Sequence, residues 1–426
     1  MVKLKENKSL SENKPIEILP APNKVYIPLT QHIGKTCNLL DVKVGDNVLV
    51  GQRLATSDGK VSAPIHSSVS GKISAIQSWP HPVLGKSEAI VIENDSLYKT
   101  LETKLRTQSE INNLTPDDIR KIVSEAGIVG MGGASFPTHI KLSPPKQLEN
   151  LIINGAECEP YLTADYRIMV EKTNEIILGI GVIQKCLNIK NVFIAIEDNK
   201  PEAIAEFKKK IQGTNYQVKV LKSQYPQGGE KQLIRSVLNK EVPSGKLPLD
   251  IETIVQNVST TFAIYEAVYK NKPLYERVLT VTGSCISNPR NLLVRIGTPI
   301  KEAIDFCGPL KEEPEKIIIG GPMMGIAQYT DMVPVIKSTT GIILMNKKEA
   351  QVSEELPCIR CGACVRECPC GLMPCLMNMA SNKWMWAKTK EYAVMDCIEC
   401  GACNYVCPAN RKLTQSIKRA KLEATK

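Results

Sequence analysis

The chain has 426 residues, of which 43% are hydrophobic and 23% charged, so it is long enough for several domains and close to the average globular composition. No apolar run approaches the roughly 20 residues that a membrane-spanning helix needs, so any membrane association is expected to be peripheral. The first residues are polar and lack the apolar centre of a signal peptide. A cytoplasmic location is therefore predicted, with residues 1–24 as a flexible arm.

The formal net charge is +10, and part of it lies near the end of the chain, at Arg411, Lys412, Lys418, Arg419 and Lys421. Aromatic residues make up only 5% of the chain and do not alternate with basic runs, which excludes a single-stranded nucleic-acid platform. The basic residues are typical of a solvated helix face, and an acidic protein partner stays open as the alternative.

Residues 25–100 are predicted to form a barrel-sandwich domain, because short β-branched strands alternate with glycine turns in segments such as 42–51 and 69–76. The two halves resemble biotinyl and lipoyl domains. Lys60 is the candidate carrier lysine in such a domain, but it lacks the flanking methionines that carrier lysines usually have. A docking module is therefore favoured over a lipoylated or biotinylated carrier.

Residues 105–268 alternate helical patterns with apolar runs at 151–154 and 192–196, which predicts a Rossmann-like α/β domain with parallel strands. Ligands of such sheets bind beyond the carboxyl ends of the strands. Residues 269–347 are again rich in β patterns, with a strand and turn at 317–322. The predicted fold class is thus multidomain, α/β plus β.

Fifteen cysteines in a cytoplasmic chain favour metal ligation over disulfides, and most of them lie in the last predicted domain, residues 350–426. The pattern C-x2-C-x2-C-x3-C-P occurs twice there, which is typical of two [4Fe-4S] clusters whose fourth cysteines cross over. A zinc ribbon is the competing interpretation, but zinc sites rarely use this spacing. The predicted ligands are Cys358, Cys361, Cys364 and Cys407 for cluster 1, and Cys397, Cys400, Cys403 and Cys368 for cluster 2.

Six other cysteines carry no ligand pattern. Cys370 and Cys375 lie beside the second ligand set, and packing is the favoured role over spare ligation. The same role is assigned to Cys37, Cys186, Cys285 and Cys307.

A glycine-rich loop spans residues 130–136, and Lys141 follows it. Its bare backbone allows close approach of a phosphate or a flat ring, and a lysine downstream can meet negative charge. The loop is neither a Walker loop nor a G-x-G-x-x-G fingerprint, so its meaning depends on three further motifs, at 154–161, 225–231 and 255–258.

Together the four motifs resemble the flavin-bearing, NADH-binding subunit of respiratory complex I. The resemblance implies a flavin mononucleotide (FMN) site lined by Gly130, Gly132, Ala134, Lys141, Asn154, Glu157, Gly229, Gln256 and Asn257. It implies that Phe136, Glu159 and Glu230 face the nicotinamide nucleotide. Three positions depart from the motifs: Ala156 replaces an aspartate, Lys231 a glutamate and Gln256 an asparagine.

The order of the parts resembles one family more closely, the C subunit of the Rnf ion-translocating ferredoxin:NAD oxidoreductase complex. The segments GMGGASFPT and NGAECEPYLTADYR carry this resemblance, and it implies a β-grasp domain at 269–347. The implied function is electron transfer between ferredoxin-fed clusters and NAD(H) through FMN, by a peripheral subunit at the cytoplasmic face of the cell membrane. Its implied partners are ferredoxin and the other subunits of a membrane redox complex. Two alternatives stay open: a cluster relay without NAD turnover, and a flavin-dependent cobalamin reductase.

Overall fold

The protein is described here by a computed structural model that covers residues 1–101 and 104–425. Residue 426, the end of the predicted basic tail, lies outside the described residues. In this part of the chain, no helix has both the length and the apolar character needed to cross a membrane. The chain opens with a short 3-10 turn (Lys8–Leu10) and strand β1 (Ile16–Ile18).

The predicted barrel-sandwich region contains two small antiparallel sheets. One has the order β2-β8-β7-β4 and the other β3-β5-β6. Alternate residues of the long strands point into a shared core, where Val25, Ile27, Ile73 and Ile92 are fully buried. The strands are β2 (Lys24–Pro28), β3 (Asn38–Leu39), β4 (Asn47–Val48), β5 (Arg53–Thr56), β6 (Ile65–His66), β7 (Gly71–His81) and β8 (Gly85–Asn94).

The next region is an α/β layer around a parallel four-stranded sheet with the order β11-β10-β9-β12. Since β9 and β12 are parallel neighbours, the motifs that follow them meet at one edge of the sheet. The elements are α1 (Gln108–Asn113), α2 (Pro116–Glu125), α3 (Thr138–Lys141), β9 (Asn150–Gly155), α4 (Ala164–Glu171), α5 (Thr173–Leu187), β10 (Asn191–Glu197), α6 (Pro201–Lys210), β11 (Tyr216–Leu221), α7 (Glu230–Leu238), a 3-10 turn (Pro248–Ile251), β12 (Thr253–Asn257) and α8 (Val258–Lys270).

A six-stranded mixed sheet follows, with the order β1-β14-β13-β17-β15-β16. Its core is apolar, with Leu279, Val281, Leu292 and Ile342 fully buried. The elements are β13 (Glu276–Thr282), β14 (Arg290–Arg295), α9 (Ile300–Phe306), β15 (Lys316–Ile319), β16 (Ile326–Gln328) and β17 (Gly341–Met345). These sheets confirm the multidomain α/β plus β class, whereas the predicted domain limits stay predictions.

The cysteine-rich region is helical, and α12 and α15 pack around Met377 and Ile417. Gly362 and Gly401 adopt φ of 73° and 76° at the starts of two short helices, a conformation that suits glycine in the tight turns between the cysteines. The elements are α10 (Lys347–Ala350), α11 (Ala363–Arg366), α12 (Pro374–Asn382), α13 (Trp386–Glu391), a 3-10 turn (Val394–Asp396), α14 (Ala402–Tyr405) and α15 (Leu413–Ala424).

The first 24 residues differ from the predicted flexible arm. Strand β1 pairs in parallel with β14, and Val2 forms a bridge with Tyr225. The ammonium group of Lys8, which is only 6% exposed, donates hydrogen bonds to the backbone oxygens of Glu157, Glu159 and Leu162. The prediction was wrong because polar contacts to distant backbone groups hold this segment, and such contacts leave no apolar period in the sequence.

We expect Lys8→Met to loosen the 157–162 loop, because three carbonyl oxygens lose a charged donor, and each such bond contributes about 1.5–3 kcal/mol. Hydrogen exchange at the amide of Tyr161, which donates to the Glu6 oxygen, should become faster. Lys14→Met is the matched control in the same segment, since the Lys14 side chain is exposed. Equal exchange rates in the two variants would contradict this role of Lys8.

Candidate functional site

A cavity of about 520 Å³ opens at the carboxyl edge of the parallel sheet, between the α/β layer and the mixed sheet. Most of the predicted flavin and nicotinamide residues lie on its wall, namely Gly132, Ala134, Asn154, Glu157, Glu159, Gly229, Glu230 and Asn257. Four others do not line it, namely Gly130, Phe136, Lys141 and Gln256. The structure thus brings the four sequence motifs together, and the roles of the individual residues stay predictions.

The glycine loop presents backbone to this cavity. The Gly130 amide donates to the Phe136 oxygen and the Ser135 amide donates to the Gly130 oxygen, which closes the ends of the loop. The amide of Met131 donates to the Thr260 hydroxyl. A Cβ atom on Gly132 would lie 3.4 Å from the Asn257 amide nitrogen, so a side chain there would occupy space that now belongs to the cavity. This surface fits a flat ring or a phosphate, which requires close approach to backbone.

Lys141 and Gln256 do not line the cavity themselves. The Lys141 ammonium donates to the Glu230 carboxylate at 2.8 Å and to the Val255 oxygen at 3.2 Å. Gln256 is 2% exposed, and its amide nitrogen has no hydrogen-bond partner among the described residues. Lys141 therefore orients Glu230, and Gln256 holds an unused donor beside the predicted flavin site.

The two acidic residues of the second motif are held by backbone amides. Glu157 accepts from the amide of Asp165 at 2.8 Å. Glu159 accepts from the amides of Met323 and Met324, at 3.1 and 2.9 Å. Burial raises the pKa of both carboxyls to about 7, although Lys8 opposes the rise at Glu157 and the two amides oppose it at Glu159. Glu159 is thereby tied to the mixed sheet as well as to the α/β layer.

These raised values predict a pH-dependent stability. Between the ordinary pKa of 4.5 and about 7, the folded state keeps protons that the unfolded state has lost, so the free energy of unfolding falls as the pH rises. We expect the melting temperature of the cofactor-free protein to fall from pH 5 to pH 7.5, and Glu159→Gln to reduce that fall. The exposed Glu88→Gln is the matched control. A pH dependence identical in all three proteins would contradict the assignment.

The second cysteine set lines a small cavity of its own. Cys368 comes from the first sequence repeat, yet it shares this cavity with Cys397, Cys400 and Cys403. Apolar side chains, including Met377 and Ile417, close the cavity. These four thiols fit the ligand set of a [4Fe-4S] cluster, which takes one thiolate at each iron. A fifth cysteine, Cys370, lines the same cavity, and its predicted role is packing.

The first cysteine set is more open. Cys358 and Cys361 are exposed, whereas Cys364 is buried and belongs to the same small cluster as Cys375 and Cys407. Within the described residues, no three His, Cys, Asp or Glu side chains converge on a single-ion site. The assignment of ligands to each cluster stays a prediction.

The second cysteine set packs against the large cavity. Ile398, between Cys397 and Cys400, lines both cavities. The Tyr225 hydroxyl donates to the Cys400 oxygen at 2.7 Å, and the Gln232 amide lies 3.5 Å from the Cys370 sulfur. The second set therefore adjoins the predicted flavin site, whereas two cysteines of the first set are exposed.

Several cavity residues were missed by the sequence reasoning because they lie outside the four motifs. The mixed sheet supplies one wall of the cavity, with Arg277, the turn at 320–325 and the segment 338–340. Two further residues were missed for another reason: Cys158 lies inside the second motif and Asp165 four residues after it, and both line the cavity although no role was assigned to them. The strand and glycine turn at 317–322 was the one available signal, and it was interpreted only as secondary structure.

The fold and the two sites define a flavin- and iron–sulfur-dependent electron-transfer protein. Four family models match the chain: an RnfC barrel sandwich hybrid domain at residues 2–97, a Nuo51 FMN-binding domain at 123–266, an SLBB domain at 278–327 and a 4Fe-4S dicluster domain at 349–415. They confirm the predicted domain types and the cofactors FMN and 4Fe-4S.

Relatives narrow this class to one family. The chain is 49% identical to the C subunit of the proton-translocating ferredoxin:NAD(+) oxidoreductase complex of Clostridium ljungdahlii, over 98% of the chain and 92% of that protein. It is 44% identical to the C subunit of the Na(+)-translocating ferredoxin:NAD(+) oxidoreductase complex of Acetobacterium woodii, over 94% of the chain and 91% of that protein. The chain belongs to the family of Rnf complex C subunits.

A solved structure shares the fold. The NAD+-reducing [NiFe]-hydrogenase in its H2-reduced state matches with a TM-score of 0.52 at 14% identity, over 76% of the chain and 66% of that protein chain. At this identity the likeness shows the fold alone.

Proposed function

We propose that this chain is the peripheral subunit that passes electrons between iron–sulfur clusters and NAD(H) in an ion-translocating membrane complex, at the cytoplasmic face. The observation that supports this most strongly is spatial. A cavity lined by the four predicted nucleotide motifs lies directly beside the second cysteine set, and the first set reaches the surface. Ferredoxin, directly or through a neighbouring subunit, is the proposed electron donor, and NAD the acceptor.

FMN, when bound, would supply the exchange between two-electron hydride chemistry and one-electron transfer. The residues of this chain bind and orient. The glycine loop offers backbone to a phosphate or a ring, and Lys141 holds Glu230 at the cavity wall. Glu159 and Glu230 act as positioning groups in this proposal, because hydride transfer needs no proton from the protein. The eight predicted cysteine ligands hold two clusters within the helical domain.

One observation favours a second candidate, a cluster relay without nucleotide turnover. Ala156 lines the cavity at a position where the complex I motif has an aspartate. A second departure, Lys231, lies 4.0 Å from Asp396 beside the second cysteine set, so it contacts the cluster domain. The relay keeps the same fold and clusters but binds no NAD(H).

Anaerobic reconstitution with iron, sulfide and FMN, followed by stopped-flow mixing with NADH, separates the two candidates. Flavin bleaching followed by loss of cluster absorbance supports the NAD-linked function. About eight bound irons per chain without bound flavin, and no response to NADH, would overturn it in favour of the relay.

A further inference from the structure

The wall of the cavity that belongs to the mixed sheet carries a buried cation with no assigned role. Arg277 lies on β13, is 2% exposed and lines the cavity opposite the α/β layer. It is the only Lys or Arg among the described residues that line this cavity. Buried charges are normally paired or bound to a ligand, because desolvation of an isolated charge is costly.

No ion pair joins Arg277 to a carboxylate in residues 1–101 and 104–425. Its guanidinium donates to three backbone oxygens instead, those of Val278 at 3.2 Å, Lys337 at 2.5 Å and Met131 at 3.5 Å. Burial lowers its pKa only to about 10, so the group is charged at neutral pH. A guanidinium has five N–H donors, and these contacts leave donors for a ligand.

Hydroxyl residues of the cavity follow Lys337, whose backbone oxygen accepts from the guanidinium. Ser338 and Thr340 line the cavity, and neither side chain donates or accepts a hydrogen bond within the described part of the chain. The contact with Met131 places Arg277 under the glycine loop, whose residues Gly132 and Gly133 form the adjoining wall. Charge, free hydroxyls and bare backbone together are the chemistry that binds a phosphate group.

The acidic side chains of the cavity have hydrogen-bond partners other than Arg277. Glu157 and Glu159 accept from backbone amides, Glu230 is paired with Lys141, and Asp165 accepts from Asn257 and Ser259. Burial lowers the pKa of Arg277 and the nearby Asp165 carboxylate opposes that effect, but Asp165 takes its hydrogen bonds from Asn257 and Ser259, so the remaining Arg277 donors stay available to an anion.

We propose that Arg277, with the Ser338 and Thr340 hydroxyls, forms an anion subsite on the mixed-sheet wall that binds a phosphate group of the nucleotide in the cavity. The inference rests on the proposed function and adds to it that the β-grasp domain supplies a binding residue. Two sources share this chemistry, the phosphate of FMN and the pyrophosphate of NAD(H), and the test distinguishes them.

The first arm compares FMN with riboflavin, which lacks the phosphate, on cluster-loaded protein by flavin fluorescence. If the subsite binds the FMN phosphate, Arg277→Met should weaken FMN binding about 10- to 100-fold and leave riboflavin binding unchanged. The second arm measures ADP-ribose, which is redox-inert, on flavin-loaded protein by calorimetry. If the subsite binds the pyrophosphate of NAD(H), Arg277→Met should leave FMN binding unchanged and weaken ADP-ribose binding about 10- to 100-fold.

Arg106→Met is the matched control, because Arg106 also donates only to backbone oxygens, those of Ala267 and Val268, and lies outside this cavity. Should Arg277→Met fail to fold, Ser338→Ala/Thr340→Val and Arg277→Lys test the same subsite, with a several-fold weakening expected in the affected arm. Unchanged affinities in both arms, in folded variants, would overturn the proposal.

Failure of the proposed function can be distinguished from failure of the anion subsite. If the unsubstituted protein binds neither flavin nor ADP-ribose, the NAD-linked function falls. The subsite is then tested with inorganic pyrophosphate: binding that Arg277→Met abolishes supports the anion subsite, and absence of binding to the unsubstituted protein overturns it.

Discussion

Cys368→Ser is expected to abolish the second cluster and to disturb the first, so that the iron content falls from about eight atoms per chain to about four or fewer. The reason is the crossed arrangement. Cys368 belongs to the first repeat in the sequence, yet it lines the cavity formed by Cys397, Cys400 and Cys403. Its loss therefore removes a ligand from one cluster and the link that fixes the two halves of the domain to each other.

Electron paramagnetic resonance of the dithionite-reduced protein checks this result, because it reports the two clusters separately. Cys407→Ser is the reciprocal variant and should affect the first cluster most. Cys370→Ser is the matched control, since Cys370 lies two residues from Cys368 and is predicted only to pack. Selective loss of the first cluster in Cys368→Ser, with the second intact, would contradict the ligand assignment.

The same substitution tests the electron route. The second cysteine set is the one that shares Ile398 with the large cavity. We therefore expect NADH to bleach the flavin in Cys368→Ser while the remaining iron–sulfur absorbance stays unreduced. Normal cluster reduction by NADH in this variant would mean that electrons leave the cavity by another path.

Features with local sequence signals could be predicted well. The cysteine spacing, the glycine loop and the apolar strand 151–154 each mark a local structure, and parallel strand order then brings β9 and β12 to one sheet edge. The departure at Lys231 could not be interpreted in this way, since its ammonium group lies 4.0 Å from Asp396, which is distant in sequence.

Features that depend on contacts distant in sequence could not be predicted. Lys8 binds carbonyl groups about 150 residues away, and Arg277 reaches the cavity only because β13 packs beside the α/β layer. Neither residue lies in a pattern, because a single lysine or arginine has no period and its acceptors are backbone oxygens of any residue type. Gly321 is a similar case, since a Cβ there would lie 2.1 Å from the Glu159 carboxylate, a clash invisible before the two domains are assembled.

Gly132→Val is the second variant with a large expected effect, a loss of at least about 10-fold in FMN affinity with the iron content unchanged. Gly132 does not have a positive φ, and its nearest neighbours would lie 3.4–3.5 Å from a new Cβ, so the backbone itself tolerates a side chain. The added methyl groups must then project into the cavity, where the flavin ring or its phosphate is proposed to approach the loop.

The measurement is flavin fluorescence titration together with iron analysis, and Gly132→Ala should lie between the unsubstituted protein and the valine variant. Gly181→Ala on helix α5 is the control, because Gly181 lies outside the four motifs. Its nearest neighbour, the Tyr216 hydroxyl, would lie 3.8 Å from the new Cβ, so the substitution meets no clash. Unchanged flavin occupancy in Gly132→Val would show that the loop is not the binding surface. The relay would then become the better account of the chain, because the clusters do not depend on this loop.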